Sequence, residues 1–172
     1  MSLRLALATA ALTLAGCATL PPPAPEAITG RIAVRVEASA ERAAQGFSAG
    51  FDLRGDAAAG ELRLASPLGT LLAAARWSAS GARLQTPTGE TPYSDLDALA
   101  RAAVGEALPL QALPDWLRGR PWPGAPSRAV DDGFEQLGWR VSLAGFSAGR
   151  VDALRLSPTP TVHVRALLEP RR

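Results

Sequence analysis

The sequence predicts a mostly β, α+β fold built on one large antiparallel sheet. Apolar and polar residues alternate with period two in many short segments, the mark of strands with one face covered and one face wet. Gly55-Asp56, Ser80-Gly81 and Thr88-Gly89 fall between those segments at hairpin spacing. The period changes to that of a helix in a single stretch beginning near Ser94, and strand patterning then resumes.

In chain order, Ile32, Val34 and Val36 alternate with Arg31, Arg35 and Glu37, so the first strand starts near Ile28. Phe47, Ala49, Phe51 and Leu53 alternate with Ser48, Asp52 and Arg54, and Leu62 and Leu64 with Glu61 and Arg63. Leu71, Ala73, Ala75 and Trp77 continue the pattern, followed by Ala82 and Leu84. Ser94 with Asp97 three residues on resembles a capping box. Leu96, Leu99, Ala100, Ala103 and Val104 then form one apolar helical face, and Gly105 is placed to end it. A second helix is expected from Pro109 to Leu117 with Leu110, Leu113 and Leu117 inward, broken or restarted at Pro114. Residues 119–128 (GRPWPGAPSR) read as a loop. Strands return with Trp139, Val141 and Leu143, with Leu154 and Leu156 on either side of Arg155, and with Val162, Val164, Ala166 and Leu168. Two short helices cannot cover so many strands. The sheet therefore either closes into a barrel or leaves a concave apolar surface able to hold a ligand.

Composition narrows the chemistry. The 172 residues allow one domain. There is no lysine, which excludes Schiff-base chemistry and the phosphate-loop lysine. One Cys and one His exclude an internal disulfide framework and any Cys- or His-rich metal cage, so neither a metal nor another cofactor is expected. A net charge of +2, with no basic stripe among aromatics, does not suit nucleic acid. His163 falls on the polar face of a late strand and reads as a surface residue, not a catalytic base. Asp95 and Asp97 are explained by helix capping, and Asp131-Asp132-Gly133 by a turn. The chain is not expected to be an enzyme. Ser66-Pro67-Leu68-Gly69 matches a type I turn with Leu68 at its apex. Leu68 either folds back onto the core or projects, and a projecting leucine suits a membrane or partner surface.

The N-terminus gives the strongest local signal. Arg4 precedes the apolar run Leu5 to Leu14, which is too short to cross a bilayer and right for a signal peptide. Leu14-Ala15-Gly16-Cys17 then resembles the bacterial lipobox. That resemblance implies cleavage before Cys17, with a diacylglycerol on its thiol and an acyl group on its new amine. Residues 1–16 would be the signal peptide, 17–27 the lipidated Cys and a Pro-rich tether, and 28–172 a single domain. Three acyl chains anchor a protein almost permanently. Ala18, where inner-membrane retention uses Asp, resembles an outer-membrane address.

Taken together, several stretches resemble the LolB family of outer-membrane lipoprotein receptors. They are the lipobox, the tether, Thr29 to Arg35 (TGRIAVR), Ser66 to Gly69 (SPLG) and the helix start SDLDAL at Ser94. Leu108-Pro109-Leu110, Leu113, Trp116-Leu117, Gly119 and Pro121 follow, then Gly138 to Val141 (GWRV). The resemblance implies an unclosed barrel of about ten or eleven antiparallel strands with a helical lid over a concave apolar cavity. It implies a monomer that takes acylated lipoproteins from the periplasmic carrier LolA and inserts them into the phospholipid of the outer membrane. It also implies that Pro67, Leu68 and Gly69 form a loop that promotes insertion. The implied cavity would draw Val34, Val36, Phe47, Ala49, Phe51, Leu62, Leu64, Ala73, Ala75, Trp77, Trp139 and Val141 from the strands, and Leu96, Leu99 and Leu113 from the helices. Pro114 departs from the family helix. A second reading keeps the anchor and the cup but no transfer: an envelope module that binds free lipid or a protein.

Overall fold

The computed structural model describes residues 26–40, 43–155 and 157–170. The expected signal peptide, Cys17 and most of the tether lie outside the described residues. Eleven strands form one antiparallel sheet. They are β1 (Ile28–Val36), β2 (Gln45–Gly55), β3 (Gly60–Ala65), β4 (Leu71–Ser78), β5 (Gly81–Thr86), β6 (Gly89–Tyr93), β7 (Ser127–Val130), β8 (Gly133–Gln136), β9 (Trp139–Ser142), β10 (Arg150–Arg155) and β11 (Val162–Leu168). The order across the sheet is β6-β5-β4-β3-β2-β1-β11-β10-β9-β8-β7. β6 and β7 are the two edges and do not pair, so the barrel is unclosed.

Two helices, α1 (Leu96–Val104) and α2 (Leu113–Trp116), follow β6 and cross the concave side. The cap of α1 is Asp95, not Ser94: the Asp95 carboxylate accepts from the Ala98 N–H at 2.7 Å, and the Ser94 hydroxyl donates to Asp95. These bonds, the Ala98 one first, hold the Asp95 carboxyl below its ordinary range. Gly105 ends α1 at φ 78°, where any side chain would be strained, and its N–H donates to the Arg101 carbonyl. α2 is a single turn, much shorter than the expected 109–117 span. Pro114 lies in its first turn, where a missing N–H costs nothing.

Three short strands, β6, β7 and β8, go beyond the sequence reading, and β7 begins inside the expected loop at Ser127. Four or five residues are too few for alternation to show. β10 also corrects a facing. Val151, Ala153 and Arg155 point inward and are buried, and Leu154 points outward. Because successive strand residues alternate faces, reading Leu154 as inward reversed the whole strand.

The register fixes which connections share an end of the barrel. The end of β1 pairs with the starts of β2 and β11, and the start of β11 with the end of β10, which in turn faces the start of β9. The connections β1–β2, β3–β4, β5–β6, β8–β9 and β10–β11 therefore share one rim, called here the Leu68 rim. The connections β2–β3, β4–β5, β7–β8 and β9–β10, and the start of β1, share the opposite rim.

Candidate functional site

Between the sheet and the helices lies a cavity of about 100 Å³. All its lining side chains are apolar. One wall is Val34 on β1, Phe47 on β2, Leu62 and Leu64 on β3, Ala73 and Ala75 on β4, and Trp139 on β9. The lid contributes Leu99 from α1 and Leu113 from α2. These nine belong to the expected cavity set and are brought together. The other six lie off this wall. Ala49, Phe51, Trp77, Leu96 and Val141 are buried in the core without bordering the cavity, and Val36 lines an adjoining opening.

Several lining residues were not in the expected cavity set. On the sheet they include Ile32, Leu84, Val151, Ala153, Val164 and Ala166; on the lid they include Ala103, Val104 and Leu108. Ile32 and Leu84 carried the alternation that marks the inner face. Ala153 had no such signal, because β10 was read in the opposite facing. Trp116 and Trp139 both line the cavity and pack against each other, ring centroids 6.2 Å apart. The Trp116 indole N–H donates to Gln136 Oε1 at 2.8 Å, which leaves its ring faces for apolar contact. Trp122 packs against the core without lining the cavity.

The lid is held by a buried ion pair. The Arg155 guanidinium on β10 donates to Glu106 at 2.6 Å and to the Ala107 carbonyl at 3.2 Å, just beyond α1. It also lies over the Trp139 ring, 5.7 Å from the centroid. Arg155 Nε is buried without a hydrogen-bond partner, so the pair is not fully satisfied. The C-terminal end of α1 is thus fastened to the wall by contacts that exact a desolvation cost.

Leu68 projects, 94% exposed. Its turn is rigid: the Gly69 N–H donates to the Ser66 carbonyl at 2.9 Å, and Ser66 Oγ accepts from the N–H groups of Leu68 and Thr70. Pro67 and Gly69 are exposed beside it. Among the described residues, no group of three or more His, Cys, Asp or Glu could hold a metal. His163 is exposed on the outer face, paired in register with Arg35 and Leu154.

An open antiparallel barrel with a helical lid and a wholly apolar cavity defines a binding protein for an apolar ligand. Residues 27–157 match the family model described as outer membrane lipoprotein LolB. The chain is similar to the outer-membrane lipoprotein LolB of Ralstonia nicotianae, 35% identical over 83% of this chain and 77% of that one. It is also similar to that of Chromobacterium violaceum (36%, 80% of each) and that of Neisseria meningitidis (34%, 74% and 64%). The chain belongs to the LolB family. It is an outer-membrane lipoprotein receptor of the Lol pathway, a transport receptor and not an enzyme.

Proposed function

We propose that this chain accepts acylated lipoproteins from the periplasmic carrier LolA, holds their acyl chains under the lid, and inserts them into the outer-membrane phospholipid. The reading has a monomer act through the single domain that begins at Ile28, behind a cleaved leader (1–16) and a lipidated Cys17. The observation that carries it is the wholly apolar lining of the cavity. Three acyl chains of ~15 CH₂ each cost roughly 35 kcal/mol to expose to water, so cargo needs an apolar host at every step. Transfer without a nucleotide must run downhill, from a weaker host to a stronger one and then to the bilayer.

The cavity as it stands is smaller than the roughly 150 Å³ that admits one benzene. Loading an acyl chain therefore means displacing the lid. α1 is suited to this, because its cavity side is largely Ala100, Ala103 and Val104, small groups that separate from the wall at little cost. In this reading Leu68 enters the bilayer and opens a route for released cargo.

The test incubates the lipid-anchored protein with cargo-loaded carrier and then with vesicles. Cargo should move to this protein and on to the vesicles, and the Leu68→Glu variant should accept cargo but not insert it. If no cargo moves, the transfer reading fails and a lipid- or protein-binding module takes its place. If Leu68→Glu inserts cargo normally, the loop has no such role.

A further inference from the structure

The large apolar side chains that stay exposed are not spread over the surface. Among the described residues they are Phe47, Leu68, Leu72, Leu137 and Leu167. The first four lie at or near the Leu68 rim. Leu68 is in the β3–β4 turn, Leu72 is the second residue of β4, Phe47 is near the start of β2, and Leu137 is in the β8–β9 turn. Leu167 alone lies toward the other end, on the outer wall.

Leu137 is the unexplained one. Gln136 pairs with Trp139, which leaves Leu137 and Gly138 as a two-residue hairpin turn with φ of 54° and 78°. Both are positive, as a type I′ turn requires, and the favoured residue at the first position is Asn or Asp. Leucine there is strained. It is also 43% exposed. Such strain persists only where the surroundings over-determine it, and it marks function more often than chance. The surroundings here do that. The Gln136 amide, directly below the turn, accepts from Trp116 Nε1 and the Trp122 N–H and donates to the Trp122 and Ala125 carbonyls. Trp139 on the other side is buried beneath the Arg155 guanidinium.

The charged residues of the two rims are placed differently. Four of the five connections at the Leu68 rim carry no charged residue: 66–70, 87–88, 137–138 and 156–161. The β1–β2 connection carries Glu37, Glu41 and Arg42. The opposite rim carries Asp56, Asp131 and Asp132 in its turns. Two residues below Leu137, on the outer face, Glu135 lies between Arg128 and Arg140, donors to it at 2.5 Å and 3.0 Å, which leaves a net positive patch. A leucine tip above a pair of arginines is the arrangement of an interfacial anchor, apolar into the acyl region and cationic at anionic headgroups. The opening that adjoins the cavity, lined by Val36, Phe47, Ala103 and Val104, also faces this rim.

We infer that the Leu137 turn is a second bilayer contact, on the flank of the barrel mouth opposite Leu68, so that the protein meets the membrane at two apolar tips with its cavity opening between them. β3–β4 and β8–β9 lie on either side of β1 in the sheet order, which puts the tips on opposite flanks. The lipid anchor permits this orientation. β1 starts at the opposite rim, yet the eleven residues from Cys17 to Ala27, if extended, span up to roughly 36 Å. The nine residues of β1 rise only about 30 Å before tilt shortens them. The inference rests on the membrane-inserting reading given above.

The test places an environment-sensitive thiol dye by Leu137→Cys, Leu68→Cys or Ala58→Cys in the full lipid-anchored chain. Each is reconstituted in vesicles of phosphatidylethanolamine and phosphatidylglycerol with or without brominated acyl chains. Quenching at 137 comparable to that at 68, with none at 58 on the opposite rim, is the expected result. A label at 137 as unquenched as that at 58 overturns the inference, as does one shielded only when the carrier protein is added. A Leu137→Asn variant gives a second reading, since Asn suits the backbone: cargo insertion into the same vesicles should slow several-fold with uptake from the carrier unchanged, and an unchanged insertion rate overturns the inference. Either failure leaves the transfer reading intact, because that is decided by whether cargo moves at all.

Discussion

Filling the cavity should strengthen the fold and weaken the function, and Ala73→Leu is the substitution that separates the two. Ala73 lines the cavity from β4, paired with Leu64 on β3, so three added carbons project into the space under the lid. At about 24 cal/mol per Å³, an empty volume of about 100 Å³ is worth roughly 2.4 kcal/mol of stability when filled. Burying three carbons at about 0.8 kcal/mol each gives roughly the same figure. Imperfect fit subtracts part of this, so a gain of about 1–2 kcal/mol is expected, or a rise in Tm of roughly 2–8 °C. The same three carbons exclude about three CH₂ of an acyl chain, roughly 2.4 kcal/mol of binding, or about 50-fold in affinity. Denaturant unfolding gives the first quantity, and displacement of a fluorescent fatty acid gives the second. A variant that is destabilised by more than about 1 kcal/mol and binds the probe as well as the parent would refute the reasoning. The space would then be ordinary core, and the acyl chain would lie elsewhere.

Four other outcomes follow. Glu106→Ala strands the buried Arg155 charge and should cost about 3–5 kcal/mol, with proteolysis or hydrogen exchange near residues 100–107 rising first. Leu137→Asn should raise stability by about 1 kcal/mol in thermal unfolding, because Asn tolerates the left-handed backbone that leucine resists. Deleting residues 20–24 leaves five residues between Cys17 and Ile28, a reach of roughly 20 Å, and should slow cargo insertion while leaving uptake unchanged. The Asp95 carboxyl is held below its ordinary range by the Ala98 N–H and the Ser94 hydroxyl, so its support of α1 is present above the unfolded-state carboxylate pKa. It is lost only as the pH falls through the lowered folded value. Asp95→Ala should remove that part of the acid sensitivity in pH-dependent unfolding, and Asp95→Asn should keep the cap without it.

What was legible in the sequence follows from strand length and from facing. β1, β2 and β11 have nine, eleven and seven residues, enough for alternation to declare an inner face. β7 and β8 have four each, and a four-residue strand offers two inward positions, which any loop can match by chance. The cavity set divided in the same way. Alternation identifies which side of a strand is covered, but not whether the cover is a neighbouring side chain or a void. Ala49 and Ala73 are both inward alanines on long strands, yet Ala49 is packed and Ala73 borders the cavity. Only the path of the lid separates them, and that path is set by Pro114, Gly105 and the Arg155–Glu106 pair, joined across 49 positions of sequence.

The same pair gives the lid its character. Arg155 occupies an inward position that a leucine would fill with less desolvation cost, and its Nε is left without a partner. A fully apolar replacement would seal α1 to the wall as permanent core. An ion pair that nearly balances its own desolvation holds the helix in place without binding it strongly, as the proposed opening of the lid for cargo requires. Arg155→Leu with Glu106→Leu should therefore yield a protein at least as stable as the parent and slower to accept cargo from the carrier. Stopped-flow uptake would measure this. If the double variant accepted cargo at the parental rate, the pair would be a structural remnant and the lid would open elsewhere.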